Sequence, residues 1–127
     1  MSIDAWLTDY SHRAYGRPDP DAEAAWRLLH GTAYQAAFDN NTAVTMAPSL
    51  GAAPGVPYRN DQLARAWERL LAAAPRLGNA DPFRFDLVNV ARQVLANHSG
   101  ELHADVVDAF RARDRAALQR AAGRMRE

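Results

Sequence analysis

The chain of 127 residues contains no cysteine. That removes disulfides, thiolate catalysis and cysteine-based zinc sites from consideration, and leaves the redox compartment open. Lysine is also absent, so all 15 basic residues are arginine, and 15 acidic residues balance them to a formal charge of zero. A balanced chain has no overall electrostatic pull towards nucleic acid or an anionic membrane. The all-arginine, alanine-rich composition reads as the imprint of a GC-rich, bacterial genome. No apolar run approaches the ~20 residues that span a bilayer, and the opening MSIDAWLTDY carries acids where an export signal would carry bases. The sequence therefore predicts no membrane span, no membrane or nucleic-acid partner, and no export signal. With 48% hydrophobic and 24% charged residues, the composition is that of a single globular domain rather than a disordered chain.

What is present is helical periodicity. A first helix is expected over about Ile3–Tyr15, with Trp6, Leu7 and Tyr10 on its inner side and Gly16 as its stop. Asp19-Pro20 reads as N-cap and first position of a second helix, whose apolar stripe runs Trp26, Leu29, His30, Ala33, Tyr34 and Ala37. The same spacing recurs in Leu63, Ala66, Trp67, Leu70, Leu71 and Ala74, ending at Pro75. Asp81-Pro82 opens a fourth helix with Phe83, Leu87, Val90, Ala91, Val94 and Leu95 buried, broken at Ser99-Gly100. A fifth (about Glu101–Arg111) and a sixth (about Arg115–Arg126) follow. No segment alternates with period two for long, so the expected fold is all-α, a bundle of five to six helices. Between helices two and three lies Asp39–Tyr58, with three Pro and two Gly. Loops longer than ~12–15 residues are often functional, and this one equally suits a plug built on Val44, Met46, Leu50 and Val56.

Candidate chemistry is sparse. Glycosidic cleavage needs two facing carboxyl groups, and Asp19 with Asp21, Glu101 with Asp105, and Asp105 with Asp108 have plausible spacing. Each sits at a helix start or on a polar face, where the helix dipole alone accounts for it. Glu101, His103 and Asp105 are spaced so that the imidazole points away from both acids; no metal and no cofactor is expected. His12, His30 and His98 lack ligand-spaced partners. Ser11, Ser49 and Ser99 lack a nucleophile elbow, and no phosphate-binding glycine loop occurs. The arginines from Arg111 to Arg126 are interleaved with Asp108, Asp114 and Glu127 and read as a solvated face rather than a nucleic-acid surface. Trp6, Tyr10, Tyr15, Trp26, Tyr34 and Trp67 could stack on sugars but read as core; Tyr58 flanks the loop and belongs to no stripe.

Several pieces in order, however, carry a resemblance. They are Trp6-Leu7 with Tyr10, Tyr15-Gly16, Ala25-Trp26 with Leu28-Leu29, Pro48-Ser49-Leu50, Ala66-Trp67, and the run Arg84-Phe85-Asp86-Leu87-Val88 continuing to Arg92-Gln93-Val94-Leu95. Together they resemble the helical C-terminal domain of the α-N-acetylglucosaminidase family of glycoside hydrolases, from Trp6 to about Asn97. The resemblance implies a parent enzyme, secreted or periplasmic, that removes terminal α-linked N-acetylglucosamine from glycans with retention. Its two catalytic Glu residues belong to a (β/α)₈ barrel, and the helical domain packs on that barrel and helps wall the cleft. Barrel and, through the parent, glycan are the implied partners.

Neither catalytic Glu has an equivalent in Glu23, Glu68, Glu101 or Glu127, so no catalytic residue is expected here and the chain alone is expected to be inactive. Two positions depart from the family pattern: Ala47 stands where an Arg often precedes Pro-Ser-Leu, and Asn89 where an Asp is common. The family domain continues beyond the equivalent of Glu127, which suggests a fragment of a larger glycosidase. Substrate-cleft or domain-interface roles fall to Tyr58, Arg84, Asp86 and Arg92, the last three as an ion-pair and hydrogen-bond lattice with partners on other elements. A helical protein-interaction module that stands alone is the rival reading.

Overall fold

The computed structural model describes residues 1–34, 46–47, 49–51 and 54–127. Its helices are α1 (Ile3–Tyr15), α2 (Pro20–His30), α3 (Asn60–Leu77), α4 (Asp81–Arg111) and α5 (Arg115–Arg126), and no strand element occurs among the described residues. The fold class is all-α, as expected. The chain divides into two compact units, one of residues Met1–Ala37 with Tyr58–Val94, the other of Phe38–Pro57 with Leu95–Glu127.

In the first unit, local chemistry sets the helix ends. Ser2 caps α1, its Oγ accepting from the Ala5 N–H at 3.2 Å. Gly16 terminates it at φ 82°, a left-handed conformation that costs glycine nothing. Asp19 caps α2 by accepting from the N–H groups of Asp21 and Ala22, and Pro20 occupies a first-turn position whose N–H would have no helical partner. α3 runs through Pro75 to Leu77 before Gly78 caps it. The proline sits in the last turn, so only one helical hydrogen bond is forfeited rather than the helix itself. The core gathers Leu7, Tyr15, Ala22, Ala25, Trp26, Leu29, Leu63, Ala66, Leu70, Ala73, Leu77, Phe83 and Val90. α2 packs most extensively on α3, with α1 against α2. Burying one side chain the size of Leu or Phe contributes about 1.5–3 kcal/mol, which makes Phe83, Leu63, Leu70 and Leu77 its chief contributors.

In the second unit, α4 continues without interruption through Ser99-Gly100. The expected break does not occur; the two sequence-derived helices four and five are one. Ser99 donates from Oγ to the Ala96 carbonyl at 2.7 Å, so it bonds back into the helix instead of ending it. Pro54 packs beside Gly100, where an added Cβ would meet its side chain at an ordinary van der Waals distance of 3.7 Å. His103 Nε2 lies 2.9 Å from the Ser49 carbonyl oxygen. These contacts place Ser49 and Pro54 of the Asp39–Tyr58 segment against the second half of α4. Leu50 is 42% exposed and is no buried peg. Val44, and with it much of that segment, lies outside the described residues, as does Ala37 at the expected end of the second helix's stripe. Asp114 caps α5 by accepting from the Ala117 N–H, and Val107, Ala109 and Ala121 are buried.

Candidate functional site

Asp86 is the centre of the first unit's polar chemistry. It sits on the inner side of α4, half-buried, and its Oδ2 accepts from Tyr15 Oη at 2.7 Å and more loosely from Tyr10 Oη at 3.4 Å. Tyr15 is buried and accepts in turn from Trp26 Nε1 at 2.9 Å. One phenol thus links a carboxylate on α4 to an indole on α2. Burial raises the Asp86 carboxyl above the usual carboxylate range, against the two tyrosine hydrogen bonds that favour its charged form. Tyr15 is held far above the normal phenol value, first by burial and then by its bond to Asp86. Tyr10 and Tyr34 are shifted upward too, first by burial and then by the nearby Asp86 charge. All three phenols keep their protons at neutral pH, and Tyr10 and Tyr15 donate theirs to Asp86.

Above this relay the rings pair. Trp6 stacks on Tyr10 with centroids 5.8 Å apart, and Tyr34 stacks on Trp26 at 5.9 Å. Tyr10 meets Trp26 edge-on at 4.9 Å. The two stacks border a groove of about 340 Å³, lined by Ile3, Trp6, Leu7, Tyr10, Trp26, His30 and Tyr34. Reading all six aromatic stripe residues as core fails at two of them: Trp6 is 56% and Tyr34 62% exposed. Trp6 lies on α1 but stays uncovered, whereas Tyr34 lies beyond the end of α2 at His30, in the turn that follows, so the expected stripe stops short of it. Tyr15, Trp26 and Trp67 are buried or partly buried in the core, as expected.

The four site candidates are not brought together. Asp86 does reach another element, but through tyrosines of α1 rather than through arginines. Arg84 pairs with Asp81 one turn away and donates to the Gly78 carbonyl at 3.3 Å. Arg92 donates to Asn89 Oδ1 at 3.1 Å on its own helix. Tyr58 packs partly buried against the core. What sequence reasoning missed is that Tyr10 and Tyr15 supply the Asp86 partners; the available signal was two inward-facing phenols on α1 with no other stated acceptor.

Arginines engage Asp19, Asp21 and Asp105 of the candidate acid pairs. Arg76 donates from Nε to Asp19 Oδ2 at 2.5 Å and from Nη2 to Asp21 Oδ2 at 2.8 Å. Arg69 adds a 3.1 Å contact to Asp21. Asp19 is therefore held below its ordinary range, first by the Arg76 hydrogen bonds and further by the amides it caps, the wrong direction for a general acid. Glu101 lies 2.9 Å from His98, and Asp105 3.1 Å from Arg124. Among the described residues no group of three His, Asp or Glu could hold a metal ion, and no helix is long and apolar enough to cross a membrane.

Comparison with known proteins agrees with this geometry. The family model for the "Alpha-N-acetylglucosaminidase (NAGLU) C-terminal domain" matches residues 6–127. A human α-N-acetylglucosaminidase is 32% identical over 124 residues, which is 94% of this chain and 17% of the human protein. A family 89 glycoside hydrolase from Clostridium perfringens, solved with 2-acetamido-1,2-dideoxynojirmycin, superposes with a TM-score of 0.89 at 19% identity, covering 98% of this chain and 16% of that one. The same bacterium's enzyme in complex with its substrate GlcNAc-α-1,4-galactose gives a TM-score of 0.89, also at 19% identity, again over 98% of this chain and 16% of that one. The chain thus spans about one-sixth of the proteins it matches. Residues 6–127 match the family across nearly the whole length, and the chain belongs to the C-terminal helical domains of the α-N-acetylglucosaminidases of glycoside hydrolase family 89.

Proposed function

We infer that this chain is the non-catalytic helical part of an enzyme that hydrolyses terminal α-linked N-acetylglucosamine, and that it supports the catalytic barrel and walls the substrate cleft with its aromatic groove. The single observation that carries the cleft-wall role is that groove. Two stacked ring pairs with exposed outer members, Trp6 and Tyr34, border a space of about 340 Å³, at the small end of the range for ligand sites. Aromatic faces suit the C–H surface of a pyranose, and the phenols of Tyr10 and Tyr34 in the lining suit its hydroxyl and amide groups. Of the four residues singled out from the sequence, Asp86 holds this wall in place. Arg84, Arg92 and Tyr58 lie apart from the groove lining and belong to the support role.

The same reading makes the chain inactive alone, because each candidate acid pair has at least one carboxylate engaged by an arginine or a histidine. In the full-length enzyme, Trp6→Ala with Tyr34→Ala should raise KM for an aryl α-N-acetylglucosaminide about tenfold or more, on the ~1–3 kcal/mol that stacking against one ring supplies. The isolated chain should show no turnover. Hydrolysis by the chain alone would overturn the non-catalytic assignment, and an unchanged KM in the double variant would remove the cleft-wall role.

A further inference from the structure

Helix α4 has a second apolar side. Between Asp81 and Val94 its inner side supplies Phe83 and Val90 to the core, with Leu87 and Val94 packed against it. Its outer side carries Phe85 at 70% and Val88 at 66% exposed. α3 has a buried inner stripe and exposes one large apolar side chain, Leu71 at 43%, among the charged Asp61, Arg65, Glu68 and Arg69 on its outer side. An amphipathic helix such as α3 borders water, whereas a helix apolar on both sides is an inner element of a larger assembly. The outer strip of α4 is flanked by Arg84 and Arg92, both exposed.

We propose that the Phe85–Val88 strip of α4, with Arg84 and Arg92 beside it, is the surface on which the catalytic domain of the same polypeptide docks. The size of the strip selects this occupant. Covering both side chains completely removes roughly 300 Å² from water, against about 800 Å² per partner in a standard free complex. A second copy of the chain would be held too weakly by such a strip. A tethered domain is not, because covalent linkage supplies an effective concentration in the millimolar range. The relatives are about six times longer than this matched segment, which is 16–17% of their length. The facing surface should offer an apolar hollow for the Phe85 ring, with carboxylates or carbonyl oxygens at its rim for the two guanidinium groups. This assignment rests on the support role above and specifies its contact.

Hydroxyl-radical footprinting of the chain by itself, and of the chain joined behind a family 89 catalytic domain in the order found in its relatives, tests the proposal. Joining should lower the labelling rate of Phe85 at least fivefold, independently of protein concentration. Phe85→Ser with Val88→Ser should keep the helix content by circular dichroism, since both side chains are exposed, yet speed proteolytic cutting of the interdomain linker at least fivefold. If Phe85 stays labelled while Trp6 and Tyr34 become protected, the docking face is wrong although the support role stands. If neither face is protected, the support role fails with it. Concentration-dependent protection of Phe85 in the chain by itself identifies a second copy as the occupant and overturns the proposal.

Discussion

Replacing Tyr15 by Phe removes one oxygen atom from the middle of the first unit and should cost about 3–5 kcal/mol of folding stability. Two contributions make up that figure. The Tyr15 hydroxyl donates at 2.7 Å to Asp86, and a hydrogen bond to a charged group contributes about 1.5–3 kcal/mol. The same oxygen accepts from Trp26 Nε1 at 2.9 Å; deleting it leaves a buried indole N–H without its partner, which costs about 1–3 kcal/mol. The ring itself, edge-on to Phe83 at 5.3 Å, is retained, so no large cavity opens. Urea unfolding followed by far-UV circular dichroism and tryptophan fluorescence measures the loss, with an urea slope of about 1–3 kcal/mol per molar for a chain of this size. The midpoint should fall by roughly 2–3 M at a slope near 1.5 kcal/mol per molar. A double-mutant cycle with Asp86→Asn isolates the carboxylate share and should give a coupling above about 1 kcal/mol. A loss under about 1 kcal/mol, or additive single and double variants, would refute the relay as an energetic unit.

Two carboxylates should respond to acid with opposite signs. Asp86 is raised in the folded chain, so its contribution is fully present below the unfolded value near 3.9 and fades as pH rises through the folded value; the stability of the parent chain relative to Asp86→Asn should improve on going from pH 7 to pH 4. Asp19 is lowered, so its contribution is present above about pH 3.9 and is lost as pH falls through the folded value; relative to Asp19→Asn the parent chain should weaken below pH 4. Urea midpoints at pH 7, 5, 4 and 3 distinguish the two, and parallel curves would contradict both. Two glycines should also diverge. A Cβ on Gly78 would stand 2.7 Å from the Ala74 carbonyl oxygen, so Gly78→Ala should cost about 1–2 kcal/mol. Gly123 in α5 has open space around it, and Gly123→Ala should stabilise by up to about 1 kcal/mol, both read from thermal melts. Phe83→Ala, at a fully buried side chain, should cost about 3–5 kcal/mol in the same assay.

The helices were legible because their signals are local. Ser2, Gly16, Asp19-Pro20 and the 3.6-residue stripes carry end and face information within a few residues. The error at Ser99-Gly100 has a local origin too: serine and glycine disfavour helix by at most about 1 kcal/mol each, too little to interrupt a helix of 31 residues that continues on both sides of them. The groove was not legible. A period shows which side of a helix faces inward but not where a helix ends or how far its neighbours cover it; Trp6 stays uncovered on α1, and Tyr34 falls past the last residue of α2. The partners of Asp86 were hidden for a related reason, since a contact between residues 71 positions apart along the chain leaves no trace in spacing. The order of small motifs identified the family, because that order survives even where each side chain's surroundings cannot be worked out.

The carboxylate of Asp19 begins one helix and grips the end of another, since it caps α2 while binding Arg76 in the last turn of α3. Fraying at either terminus therefore releases the other. The amide of Ala22 and the amides of the final α3 turn should exchange with solvent deuterium as one cooperative group, although more than fifty positions of sequence separate them. Two ends that would ordinarily be the loosest parts of their helices are thereby made to open only together.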